Sequence, residues 1–214
     1  MQPDKLQERF QLTSIIQWML PVFIFAAAIG FGLNYDTHNQ ITYHIQGLTK
    51  IDPTFLKGDW HAHETQHYHD NYSSLFVIFD KFNLHLPTAF ITLHVLLRVL
   101  GIYMIYKCIS LICKERGLLT FILALSLIMI ETTATVALTY IFCLVIQPSV
   151  FGSVFSLVGF YYFLKDRPLL SGTAIAFGGL MHTNFLILNI MVWGLVHICT
   201  VSYTHLTLPT TPYV

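Results

Sequence analysis

From Pro87 to Cys113 the chain runs almost wholly apolar, broken only by His94, Arg98 and Lys107, and a second such run follows from Leu118 to Ile146 with Glu131 as its single charge. Crossing the roughly 30 Å hydrocarbon layer of a membrane takes about 20 apolar residues. Inside that layer each backbone polar group has to be satisfied within the segment, so helices are the solution open to such runs. The composition agrees. Charged residues make up 10%, against about 25% in soluble domains. The 14% aromatic content argues equally against a disordered chain. Eleven Lys and Arg balance eleven Asp and Glu, leaving no basic footprint for nucleic acid.

The expected fold is therefore all-α, a polytopic transmembrane helical bundle of about six spans with one long extracytoplasmic loop containing short amphipathic helices. The spans are placed at 14–34, 87–113, 118–146, 150–164, 168–181 and 185–200, with a cytoplasmic N-terminus at 1–13. The basic residues Lys5 and Arg9, then Lys107, Lys114 and Arg116, then Lys165 and Arg167 all fall on one side under this alternation. Basic residues in short loops mark the cytoplasmic side. The expectation is an integral protein of the cell (inner) membrane, with residues 35–86 outside.

Residues 201–214 break from the preceding text. Val201–Thr210 resembles the in-frame translation of a transposon-end adapter used in sequencing libraries, so the tail is read as artefactual. On that reading the natural protein continues past Thr200. The cysteines Cys108, Cys113, Cys143 and Cys199 lie in or beside apolar runs and match no metal spacing, which reads as small buried hydrophobes.

The 35–86 loop holds seven of the eleven histidines and six of the eleven acidic residues, so the polar chemistry concentrates there. Ile41, Ile45 and Leu48 recur at helical spacing and predict a short amphipathic helix on the outer membrane surface. Trp60, in the Gly58-Asp59-Trp60 turn, is an expected interfacial anchor. His61, His63, His67 and His69 follow at even spacings. As a strand all four would share a face, and neutral imidazole is the commonest metal ligand. The cluster is a candidate metal site, and the alternative is a polar loop with its histidines hydrogen-bonded to water and backbone. Within the spans, His94 and Arg98 stand one helical turn apart. Arg98 either pairs with Glu131 to lock two helices or reaches the phosphate of a lipid carrier by bidentate hydrogen bonds.

The order Asn34-Tyr35-Asp36, Ile41-Thr42-Tyr43-His44-Ile45, Ile51-Asp52-Pro53 and Gly58-Asp59-Trp60 resembles the first outer loop of the GT-C superfamily of membrane glycosyltransferases. So does the later text Lys165–Gly172 followed by Gly178–His182. The family's Asp-Glu pair is Asp36-Thr37 here, and its Lys-Pro-Pro segment before the second span is absent. The resemblance implies transfer of a sugar from a polyprenyl-phosphate-linked donor at the outer face. Asp36 is then the catalytic aspartate, a general base on the acceptor hydroxyl, with Asp59 competing for the role. Substrate binding would fall to Arg98, His94 and His182, and a divalent cation is the cofactor such a site could take. Read without the resemblance, Asp36 is a membrane-boundary acid capping the next helix. Two other functions fit the same text: a transporter or metal-handling protein using the histidine loop, and a non-catalytic membrane subunit.

Overall fold

A computed structural model describes residues 19–30, 32–37, 40–64, 69–114, 117–130 and 143–206. The described residues are helical, without strands. In chain order they form α1 (Met19–Gly30), α2 (Gln40–Ile51), α3 (Trp60–Glu64), α4 (Asp70–Lys81), α5 (Leu86–Cys113), α6 (Gly117–Ile130), α7 (Pro148–Leu164), α8 (Pro168–Met181) and α9 (Thr183–Leu206).

The proline at the start of α5 suits a first turn, where its missing N–H is no loss. With 28 residues, α5 extends about 42 Å at 1.5 Å per residue. It is the one described helix long and apolar enough to cross a membrane, and α1 and α6 to α9 contribute shorter apolar helices. The expected boundaries shift in three places. The first run stops being helical at Gly30, and Gly32 to Thr37 form an irregular segment with left-handed backbone at Gly32 and Asp36. Cys143 to Ile146, expected inside the third span, are non-helical, as is Gln147, and α7 opens at Pro148. α8 and α9 are separated by His182 alone, and α9 runs on to Leu206. The proposed N-terminal segment 1–13 and Glu131 lie outside the described residues.

α5 is the hub. On one side Ile102 and Ile105 pack with Ile24, Ala27 and Ala28 of α1 and Phe121 and Leu125 of α6. On the other, Phe90 and Leu97 pack with Tyr72 and Phe76 of α4 and Val150, Phe151 and Val154 of α7. α7 also lies against α8 and α9. There Gly178 and Gly179 bring backbone against Phe155 and Leu186, whereas Gly172 has open space around it.

The 35–86 segment carries a folded layer rather than a coil. α2 lies along α4 because Gly47 lets the Phe76 ring sit where a Cβ would be, 2.2 Å from the ring's Cδ2. The expected amphipathic helix exists, but the face it buries is Gln40, His44 and Gly47, while Ile41 is exposed. Lys50 at the end of α2 donates to the Asp70 carboxylate at 2.6 Å and to the Ser74 hydroxyl at 3.1 Å. Each charge complements its own helix dipole there. α4 ends on the left-handed residue Asn83, a favoured helix stop. The Leu84 N–H then donates to the Phe79 carbonyl at 2.9 Å, turning the chain directly into α5.

Candidate functional site

The segment after α1 is held from two sides. Arg98, fully buried on α5, donates from one terminal nitrogen to the carbonyls of Ala28 (2.9 Å) and Gly32 (2.7 Å), and from the other to that of Cys143. A helix C-terminus leaves its last carbonyls unpaired and partially negative. The guanidinium supplies donors and positive charge there, from a different helix. The Asn34 N–H donates to the Leu144 carbonyl at 2.7 Å, so 28–34 and 143–144 are clamped together. Both terminal nitrogens of Arg98 are thus engaged with backbone. His94, one turn earlier, is also buried, and its Nε2 has no hydrogen-bond partner among the described residues.

From the other side, the first turns of α2 seize Asp36. The Gln40 side-chain oxygen accepts the Asp36 N–H at 2.6 Å, which holds that residue at φ 57°. A non-glycine residue in this region is uncommon, and such strain persists where surrounding contacts over-determine it. One turn along α2, His44 Nδ1–H donates to Asp36 Oδ1 at 3.2 Å. A carboxylate only accepts, so Nδ1 carries the proton and Nε2 presents its lone pair. The His44 side chain is 3% exposed and that of Asp36 58%. Tyr35, Phe76 and Phe90 surround the imidazole with ring centroids at 4.8, 4.9 and 5.3 Å. Burial lowers the His44 pKa to about 4 against the opposing pull of Asp36, so the ring is neutral at pH 7. The Tyr35 phenol is pushed up to about 12 by burial and the Asp36 charge, and burial likewise raises Tyr72, whose hydroxyl donates to the Ile146 carbonyl at 3.1 Å.

Asp59 sits apart from this pair. Its carboxylate accepts the Ala62 N–H at 2.8 Å, which makes it the N-cap of α3. The histidines of the candidate metal cluster disperse. His63 Nε2–H donates to the Phe55 carbonyl at 3.0 Å, whereas His69 Nδ1–H donates to the Met181 carbonyl at 3.1 Å. His67 lies outside the described residues, and among those described no three His, Cys, Asp or Glu side chains converge as a metal site. Asp36, with His44 as its one side-chain partner of that set, therefore does not fit a protein-built cation site. His182 faces His69, ring centroids 4.7 Å apart, and Asn71 donates to the Leu180 carbonyl at 2.7 Å. This joint closes the end of α8 from the loop, away from Asp36.

A groove of about 640 Å³ opens between α4, α5, α7 and α8, walled by Leu75, Phe79, Leu93 and Phe151, with His85 and Thr88 at one end. The volume falls within the range of about 300–1,000 Å³ usual for small-molecule sites. Phe79 on this wall meets Phe90 edge-on at 5.0 Å, and Phe90 lies against His44, so one aromatic partition separates groove from Asp36–His44 pair. Sequence reasoning found Asp36 and missed His44 and Gln40. The signal was the polar stripe Asp36, Gln40, His44 at steps of four, overlooked beside the apolar stripe of the same helix. No family model, curated protein or solved structure matches the chain, so the site is read from its own chemistry.

Proposed function

We propose that this is a multispanning membrane protein, a GT-C-like transferase that moves a sugar from a polyprenyl-phosphate donor to an acceptor hydroxyl at the outer face. The observation that carries the reading is Asp36, held in left-handed backbone beyond the end of α1 by Gln40 and paired with a neutral, buried histidine. Acid–base chemistry needs a carboxylate positioned by fixed partners in this way. The apolar groove on the far side of Phe90 supports a lipid-borne substrate.

The six-span arrangement is part of the same proposal. Met19, Val22, Leu119, Leu123, Leu127, Leu169, Ile190 and Leu195 point outward from α1, α6, α8 and α9, and helices apolar all round belong in hydrocarbon or a large core. The test is Asp36→Asn in the full-length protein. Transfer from a polyprenyl-phosphate-linked hexose should fall by about 10²–10⁴ with insertion intact. Asp59→Asn should retain activity, since Asn caps a helix as well as Asp. Wild-type transfer by the Asp36 variant would overturn the assignment.

A further inference from the structure

We infer that His44, not Asp36, receives the proton of the acceptor hydroxyl, with Asp36 acting as the positioning residue that orients and stabilises the imidazole. This rests on the transfer reading above. Asp36 Oδ1 is committed to the Nδ1–H of His44 at 3.2 Å, whereas the opposite nitrogen, Nε2, is buried without a hydrogen-bond partner among the described residues. A buried imidazole with one nitrogen on a carboxylate and the other bare is the arrangement of a general base whose tautomer is set by its partner. The Gln40 amide, one turn earlier on the same buried face, lies within hydrogen-bonding reach of the Tyr72 hydroxyl. Among the described residues Asp36 is the charged group against His44. Tyr35 faces it as a neutral phenol, and α4 and α5 present Phe76 and Phe90.

The step balances. The acceptor oxygen bonds to the anomeric carbon as that carbon's bond to the donor phosphate oxygen breaks, its electron pair leaving on the phosphate. The hydroxyl proton passes to His44 Nε2. The phosphate gains one negative charge and the imidazole one positive charge, which Asp36 offsets across Nδ1–H.

The experiment follows turnover of a polyprenyl-phosphate-linked radiolabelled hexose by the full chain in lipid nanodiscs, with glycerol and water as acceptors. His44→Gln should lower kcat by about 10²–10⁴ with KM within a few-fold, and should abolish the acid limb of the kcat–pH profile. Residues acting as one unit lose activity non-additively, so Asp36→Asn combined with His44→Gln should be no slower than the worse single variant. Wild-type kcat in His44→Gln, or losses that multiply, would overturn the assignment while leaving the transfer reading in place. No turnover by the wild-type chain would overturn both. ¹⁵N-histidine NMR of the wild type serves if His44→Gln does not fold. The resonance perturbed by Asp36→Asn should belong to an Nδ1–H tautomer, and an Nε2–H tautomer overturns the assignment.

Discussion

Arg98 and His44 show what burial does to a polar side chain. A buried donor or acceptor left unmade costs about 1–3 kcal/mol. Arg98 meets this demand at its two terminal nitrogens by donating to the carbonyls of Ala28, Gly32 and Cys143. His44 meets it only at Nδ1, staying neutral with its one proton directed at Asp36 and leaving Nε2 without a partner among the described residues. Its pKa falls from 6.5 to about 4, chiefly through burial. Because the folded value lies below the unfolded one, the folded state binds fewer protons between those pH values. The linked stability is therefore full above about pH 6.5 and is lost as pH falls toward 4. Lowering pH from 7 to 5 should cost on the order of 2 kcal/mol from this group. Thermal unfolding in nanodiscs at the two pH values checks it: the drop should shrink in His44→Gln, and an equal drop in the variant would refute the linkage.

Between α2 and α4 the decisive contact is a missing Cβ. Adding one at Gly47 would place it 2.2 Å from the buried Phe76 ring, and overpacking a filled site costs about 1–3 kcal/mol. Ala is the better helix former by about 1 kcal/mol, so Gly47→Ala should come out destabilising by up to about 2 kcal/mol. The control is Gly172→Ala on α8, which meets no atom within 4 Å and should be neutral or stabilising. Limited proteolysis of the outer loop reads the difference. Faster cleavage in Gly47→Ala and not in Gly172→Ala is the expected result. Since α2 carries both Gln40 and His44, the same variant should also loosen Asp36.

The molecule as a whole divides into an α5-centred bundle and an outer layer of α2, α3 and α4. The proposed topology puts that layer outside and the turn between α7 and α8 inside. Lys57 and Lys165 are both exposed, and this topology would put them on opposite sides. With the four native cysteines replaced by alanine, Lys57→Cys should label with an impermeant thiol reagent in intact cells. Lys165→Cys should label only after lysis. The reverse pattern would overturn the orientation and, with it, the outer-face assignment of Asp36.

Much of this architecture was legible in the residues. Apolar runs specify helices, because a backbone without water has no other way to satisfy its polar groups, and the span expected at 87–113 coincides with α5. Concentration of histidines and acids marked 35–86 as the most polar segment, and the resemblance to GT-C transferases brought Asp36 forward. Composition and periodicity do not say which face of α2 turns inward. Its apolar stripe suggested one face, yet the helix buries Gln40, His44 and Gly47, because α4 offers Phe76 to a glycine and Asp36 offers a carboxylate to an imidazole. Nor did α4 announce itself: its place depends on Lys50, twenty residues earlier, and on the end of α8, more than a hundred residues later. Periodicity reports a helix's own faces, whereas choosing among them depends on neighbours distant in the chain. For that reason the helical class could be read from the sequence, and the pairing of Asp36 with His44 emerged only when the helices were packed.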